Sequence, residues 1–139
     1  PTMTGPSTPS GLAESSSNDS GREEYKAFDK STGSINYWGS ASSGSVGQWI
    51  QYTFPSPVFV YKATLTTSDS DSSIKDFKLE YETPKGFVEA VAGTLPRNAA
   101  ADFVFTATGK HSTWRITCLS TYGTSSSARL LEADFLGLV

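Results

Sequence analysis

The clearest structural signal in this chain is QWIQYTF, residues 48–54. Ile50, Tyr52 and Phe54 alternate there with polar residues, which is the period of a strand that buries one of its two faces. A second stretch, Ile74–Glu82, repeats this alternation of apolar and polar residues. Both stretches predict half-buried antiparallel strands.

Five further runs are rich in β-branched and aromatic residues: Val58–Thr67, Phe87–Ala92, Asp102–Thr108, Thr113–Thr121 and Leu130–Val139. Pro and Gly lie between the runs, and Gly109-Lys110 between two of them predicts a hairpin. No segment of a dozen residues has the 3.6-residue period of a helix. The sequence therefore predicts an all-β fold, an antiparallel β-sandwich or jelly roll.

Length and charge exclude several classes of protein. The chain has 139 residues, with 11 Lys and Arg against 14 Asp and Glu, which gives a formal net charge of −3. This length fits one domain with one core. Because no Lys/Arg cluster is present, we expect neither nucleic acid nor an anionic membrane as a partner. No apolar stretch approaches the ~18 residues of a membrane helix, so membrane insertion is not expected.

The order of segments indicates a lead-in followed by the domain. Residues 1–10 are rich in Pro, Ser and Thr and predict a linker-like lead-in, whereas residues 11–139 are expected to form the β-sandwich. Because the chain starts at Pro1, we expect a piece of a longer protein, with other domains of that parent protein as partners. No heptad strip is present, so a homo-oligomer would form through the parent chain.

Three stretches in order carry a family resemblance. They are KAFD at 26–29 followed by YWGS at 37–40, then GQWIQYTF at 47–54, and finally WRI at 114–116 with the ending RLLEADFLG at 129–137. Together they resemble the discoidin, or coagulation-factor type C, domains. These domains share the galactose-binding-like jelly roll with family 32 carbohydrate-binding modules. The lead-in further resembles versions of this module that phage tail and other virion proteins carry.

The resemblance implies a structural calcium ion. Residue by residue, its ligands would be Asp29, Thr32 and Glu132, with main-chain carbonyls near Lys26 and Leu131 completing the oxygen shell that calcium needs. One departure from the family pattern is Lys30-Ser31 after the aspartate, which adds a repulsive charge. The alternative is that Asp29 caps its loop by accepting a hydrogen bond from its own backbone.

Sugar binding in this family needs an aromatic platform and planar polar groups. The resemblance implies a His after the loop Trp and an Arg and an Asn in the next loop, but Gly39 follows Trp38 and residues 66–73 contain neither. The candidate ligand-binding residues that remain at loop tips are Arg22, Tyr37, Asp69, Asp71 and Tyr122. For both tyrosines the alternative is partial burial at the rim of the sandwich.

Catalysis is not predicted. The one histidine, His111, follows a turn, and no nucleophile motif or phosphate-binding glycine loop is present. Cys118 alternates with Trp114 and Ile116, which predicts a buried, unreactive thiol. We therefore expect a non-catalytic module that recognises glycans on a host or cell surface, on an extracellular or virion protein such as a tail fibre. The alternative is a structural or decoration module that makes only protein contacts.

Overall fold

The computed structural model describes residues 2–33, 35–42, 44–106, 109–124 and 126–138. Within these ranges the chain forms strands and one short 3₁₀ helix, Glu24–Ala27. In chain order the strands are β1 (Leu12–Ser15), β2 (Trp38–Gly39), β3 (Trp49–Thr66), β4 (Asp76–Thr83), β5 (Gly86–Thr94), β6 (Ala100–Val104), β7 (His111–Cys118), β8 (Arg129–Leu130) and β9 (Glu132–Leu138). The predicted all-β class is confirmed.

Two antiparallel sheets share the long strand β3. Its first half lies in a sheet of order β1-β3-β7-β4-β5, and its second half pairs with β6 and β9. The register shifts between Thr53 and Val58, where Pro55 and Pro57 lack the N–H that a ladder needs. The chain passes from one sheet to the other at this bend, so the two predicted strands Gln48–Phe54 and Val58–Thr67 are one continuous element.

The core lies between the inward faces of the two sheets. Ile50 and Tyr52 of β3 are buried beside Ile116 and Trp114 of β7 in a paired register. The predicted alternation on β7 is confirmed as far as Cys118, which is fully buried. Burial raises the pKa of the Cys118 thiol to about 11, in keeping with the predicted lack of reactivity.

The predicted hairpin at Gly109-Lys110 is wrong. β6 pairs with the second half of β3, and β7 pairs with its first half and with β4, so the chain crosses between sheets at this turn. A turn signal marks where the chain reverses but not which strand it joins. The predicted strand Asp102–Thr108 is observed as Ala100–Val104, and residues 107 and 108 lie outside the described residues.

The lead-in packs on the domain instead of forming a linker. Met3 is only 2% exposed, and its backbone N–H donates to the carbonyl of Phe28 at 3.0 Å. The carbonyl of Ser10 accepts a hydrogen bond from the Tyr52 hydroxyl at 2.8 Å. The Pro- and Ser-rich composition predicts a linker because it does not reveal that the apolar Met3 packs against the domain. In the described part of the chain, residues 2–10 are thus an ordered arm against the first sheet.

The two ends of the sandwich differ in their connections. At the end that we call the loop end, β3 finishes at Thr66 and β4 begins at Asp76. The short two-stranded sheet of β2 and β8 also lies at this end. At the opposite end, which we call the proline end, β3 bends between Thr53 and Val58, and the tight turn after Thr83 joins β4 to β5. Long connections therefore gather at the loop end.

Candidate functional site

A cleft of about 310 Å³ opens at the loop end. Residues from several segments, far apart in sequence, line it: Thr32, Tyr37, Ser68, Asp69, Ser70, Asn98, Arg129 and Leu131. Its wall thus combines a guanidinium, an amide, a carboxylate and several hydroxyls. These are the planar and hydroxyl groups that bind sugar hydroxyls in proteins.

Backbone hydrogen bonds hold these segments together. The N–H of Asn98 donates to the Ser68 carbonyl at 3.0 Å, and the N–H of Leu131 donates to the Thr66 carbonyl at 3.0 Å. The carbonyl of Arg129 accepts from the Ile74 N–H at 3.2 Å. Asn98 has a positive φ of 56°, a conformation that asparagine tolerates better than most residues. Backbone hydrogen bonds therefore fix the relative positions of the loops that line the cleft.

Tyr37 supports charged groups at the cleft. It precedes β2, is only 9% exposed, and lies between strand ends that the β2–β8 pairing brings together. The guanidinium carbon of Arg22 lies 4.6 Å from its ring centroid, and that of Arg129 lies 4.9 Å from it. Both distances are within the range of cation–π attraction. The alternative of rim burial thus describes Tyr37 better than an open aromatic platform.

Arg129 has few partners of its own. Its Nη1 donates to the Ser70 hydroxyl at 3.4 Å, a long bond. Among the described residues, none of the ion pairs includes Arg129. A guanidinium carries five N–H donors. Arg129 lines the cleft, and its one side-chain hydrogen bond to a described residue is that to Ser70. The side chain is half-buried and held in place by Tyr37.

Asp71 and Tyr122 lie outside the cleft lining and are joined through Arg97. The Arg97 Nη2 atom lies 2.7 Å from the Asp71 Oδ1 atom, and its guanidinium carbon lies 5.7 Å from the Tyr122 ring centroid. The Tyr122 hydroxyl donates to the Leu95 carbonyl. Arg97 Nε also donates to the Asp69 carbonyl at 2.9 Å. These contacts brace the loop that carries Asp69 into the cleft.

Asp29 and Glu132 meet behind the cleft, as the calcium expectation requires. Glu132 is the first residue of β9 and is 7% exposed, and by distance and angle neither of its carboxyl oxygens has a hydrogen-bond partner among the described residues. Burial, together with the nearby Asp29 carboxyl, raises the pKa of Glu132 to about 8. Burial also raises the pKa of Asp29 above its ordinary value. Two adjacent, desolvated carboxyls are a favourable environment for a cation.

The other residues near this pair fit the expectation unevenly. Lys30, the departure from the family pattern, forms an ion pair with Asp134, so its charge is offset. The Ser31 N–H donates to Asp29 Oδ1 at 2.8 Å, which is the loop cap foreseen as the alternative. Thr32 is exposed and lines the cleft. In the described ranges no three His, Cys, Asp or Glu side chains converge, so carbonyls would complete a calcium site.

A larger cavity of about 630 Å³ lies at the proline end. Pro57, Pro84, Lys110 and His111 are among its lining residues. His111 is half-buried and stacks on Tyr81 with a centroid distance of 4.0 Å. This cavity is a shallow depression between turns, and its described lining residues include neither an amide side chain nor a guanidinium.

The outer face of the first sheet has a second group of aromatic residues. The guanidinium carbon of Arg115 lies 3.7 Å from the Trp49 ring centroid and 4.0 Å from that of Phe87. Arg115 Nε donates to the Gln51 side chain at 2.9 Å. Trp49 is therefore a surface residue whose ring an arginine covers, and its role is to pack this face of the sheet.

Sequence reasoning missed Asn98 and Arg129. The family pattern places an arginine and an asparagine within residues 66–73, whereas the fold supplies them from two other connections. A signal was present, because Arg129 stands three residues before Glu132. If Glu132 must reach Asp29, then Arg129 must lie near the loop that follows Asp29.

No family model matches the sequence, and no curated protein matches it. Solved structures do match the fold. The family 32 module of C. perfringens NanJ in complex with galactose has a TM-score of 0.77 and 16% identity, over 90% of this chain and 92% of that one. Chitosan-binding module 1 from a Paenibacillus sp. IK-5 chitosanase/glucanase has a TM-score of 0.76 and 25% identity, over 91% and 95%. The module of AlyQ in complex with 4,5-unsaturated mannuronic acid has a TM-score of 0.75 and 21% identity, over 90% and 93%.

The chain therefore has the galactose-binding-like jelly-roll fold of the family 32 carbohydrate-binding modules, and the discoidin-like fold predicted from the sequence is confirmed. The matched structures are binding modules, in agreement with the prediction that this domain is not an enzyme. Among the described residues, no helix has the length and apolar character needed to cross a membrane.

Proposed function

We propose that this domain is a non-catalytic module that binds carbohydrate through the cleft at the loop end. The observation that carries the proposal is the convergence of Asn98, Arg129 and Asp69 on one cleft. Amide, guanidinium and carboxylate groups can each form paired hydrogen bonds with neighbouring sugar hydroxyls. The fold that this chain shares with sugar-binding modules supports the same function.

A glycan array followed by titration calorimetry tests this proposal. We expect the folded domain to retain a restricted set of glycans and Asn98→Gly to weaken binding about tenfold, because one to two net hydrogen bonds are lost. Glycine removes the amide while tolerating the positive φ at this position. Lys110→Ala at the proline end is the control and should bind normally. A folded domain that retains no glycan would refute the proposal.

We also propose that a structural calcium ion binds at Asp29 and Glu132. The support is the buried carboxyl of Glu132 beside the half-buried carboxyl of Asp29. Among the described residues, the oxygens of Glu132 have no hydrogen-bond donor. Main-chain carbonyls and water would supply the remaining ligands. Thr32 remains a proposed ligand because its loop follows Asp29 directly.

Thermal unfolding of chelator-treated protein tests the metal. Calcium should raise the melting temperature by several degrees, because a ligand that binds only the folded state stabilises it. Magnesium at the same concentration should have a smaller effect, and Glu132→Gln should abolish the calcium response. No change in melting temperature and no heat of binding in the parent protein would exclude the site.

The setting that we propose is a glycan on a host or cell surface, met by an extracellular or virion protein of which this chain is one domain. Ser and Thr make up roughly a quarter of the chain and charged residues only 18%, a composition that suits an exposed, extracellular surface. Weak single-site affinity would be strengthened by display on an oligomeric parent protein. Immunolabelling of the native protein tests this setting, and its recovery only in the cytosol would contradict it.

A further inference from the structure

We infer that the cleft selects sugars that carry a carboxylate, such as uronic acids, and that Arg129 binds that carboxylate. The inference rests on the proposed function, since it names the class of sugar that the same cleft takes. It starts from the contacts of Arg129, whose guanidinium lies on the Tyr37 ring and forms no ion pair with any described residue. A guanidinium matches a carboxylate with two parallel hydrogen bonds.

The charges around the cleft leave this guanidinium available. The neighbouring cations are already neutralised: Lys30 pairs with Asp134, and Arg97 pairs with Asp71. Arg22, on the same tyrosine ring, donates to the Gly21 carbonyl and forms no ion pair within 4 Å among the described residues, although its charge acts on the neighbouring carboxyl of Glu23 and helps to lower the pKa of that group. Two guanidiniums on one aromatic ring therefore form a local positive site in a chain whose formal net charge is −3.

The carboxylate of Asp69 gives the cleft a second, opposite group. Asp69 is exposed, lines the cleft and forms no ion pair among the described residues. It can only accept hydrogen bonds, so it suits the hydroxyls of the ligand and repels its carboxylate. The two groups together fix the orientation of an acidic sugar, with its carboxylate towards Arg129 and its hydroxyls towards Asp69 and Asn98.

The absence of an open aromatic platform favours the same conclusion. Of the cleft-lining residues described, only Tyr37 is aromatic, and its ring is buried beneath the two guanidiniums. Neutral sugar hydroxyls exchange water for protein hydrogen bonds at little net gain. Charge-assisted hydrogen bonds are roughly twice as strong. A cleft that cannot stack a sugar ring therefore gains most of its affinity and selectivity from a charged ligand.

Matched pairs of sugars test the inference on the unmodified protein. We propose calorimetry with trigalacturonate, trimannuronate and sialyllactose, each beside its carboxyl-reduced neutral counterpart. At least one acidic sugar should bind about tenfold or more tightly than its neutral partner, which is the contribution of one charge-assisted contact. The three acids distinguish the source of the carboxylate. Raising the ionic strength should weaken acidic binding alone.

Variants then assign the effect to Arg129. Arg129→Gln should remove the preference for the acidic sugar. Arg129→Lys should keep part of it, since lysine retains the positive charge but cannot donate two parallel hydrogen bonds to a carboxylate. Lys110→Gln removes the same charge at the proline end and should leave the preference intact. Asp69→Asn should tighten acidic binding two- to fivefold, because it removes a repelling charge.

The outcomes separate this inference from the function on which it rests. If neutral sugars bind as tightly as their acidic partners, or if Arg129→Gln keeps the acidic preference, the inference is wrong and carbohydrate binding stands. If the folded protein binds none of these sugars and no glycan on the array, both fail. Loss of folding in Arg129→Gln does not affect the test, because the matched sugars and Arg129→Lys carry it alone.

Discussion

The loop end and the proline end of the sandwich each have a cavity, and the larger cavity is not the one with the more varied polar lining. The proline end has the larger cavity, about 630 Å³ against about 310 Å³ at the loop end. Its lining comes from short turns and a bend, whereas the smaller cleft draws on the ends of several long connections. Convergence of distant segments brings unlike polar groups together, and this makes the smaller cavity the candidate site.

The largest predicted effect concerns the base of the loop end. Trp38 is fully buried, and its Nε1 donates to the Ser17 carbonyl at 3.0 Å. Trp38→Ala should lower the free energy of unfolding by about 3–5 kcal/mol, from lost burial and a cavity. Pro84→Ala at the proline end is exposed and should change it by less than about 0.5 kcal/mol. Urea unfolding measures both, and equal effects would remove the distinction between the ends.

A pair of glycines sharpens the comparison at a smaller scale. A Cβ on Gly123 would lie 2.6 Å from Asp71 Cβ at the loop end, whereas Gly86 at the proline end has open space but a φ of +115°. Gly123→Ala should cost about 1–3 kcal/mol through overpacking. It should also displace the Asp71 loop and weaken binding. Gly86→Ala should cost about 1 kcal/mol through backbone strain alone and leave binding unchanged.

The sheets could be predicted from the sequence, but the cleft could not. Trp114, Ile116 and Cys118 are every second residue of β7 and are all buried, so a two-residue apolar period in the sequence predicts which face of the strand points inward. No alternation of this kind marks Asn98 or Arg129, because their meeting depends on how separate loops pack. The one indication for Arg129 was its closeness in sequence to Glu132. The expectation that Asp29 and Glu132 lie close together came, like the jelly-roll topology, from the family resemblance and not from a local pattern.

The third prediction follows strand β7 to its loop end. Burial disfavours the thiolate and raises the pKa of the Cys118 thiol from its ordinary value of 9.0 to about 11. Between pH 9 and pH 11 the unfolded chain would lose this proton before the folded chain does, so stability falls as pH rises. Unfolding of the parent and of Cys118→Ala should show a steeper loss for the parent, by about 1–2 kcal/mol across this window. Parallel pH profiles would contradict the shift.

The smallest effect should come from Lys30, in the loop behind the cleft. Its φ of 65° is left-handed, a conformation that costs most residues about 1 kcal/mol and glycine nothing. Lys30→Gly also breaks the partly exposed ion pair with Asp134, worth at most about 1 kcal/mol. The net change should therefore lie within about 0.5 kcal/mol, whereas Asp134→Asn alone should destabilise by up to about 1 kcal/mol. Unfolding in the presence of chelator measures these changes in the free energy of unfolding without any contribution from a metal. A large decrease in the free energy of unfolding for Lys30→Gly would mean that the lysine side chain, and not the backbone conformation, stabilises this loop.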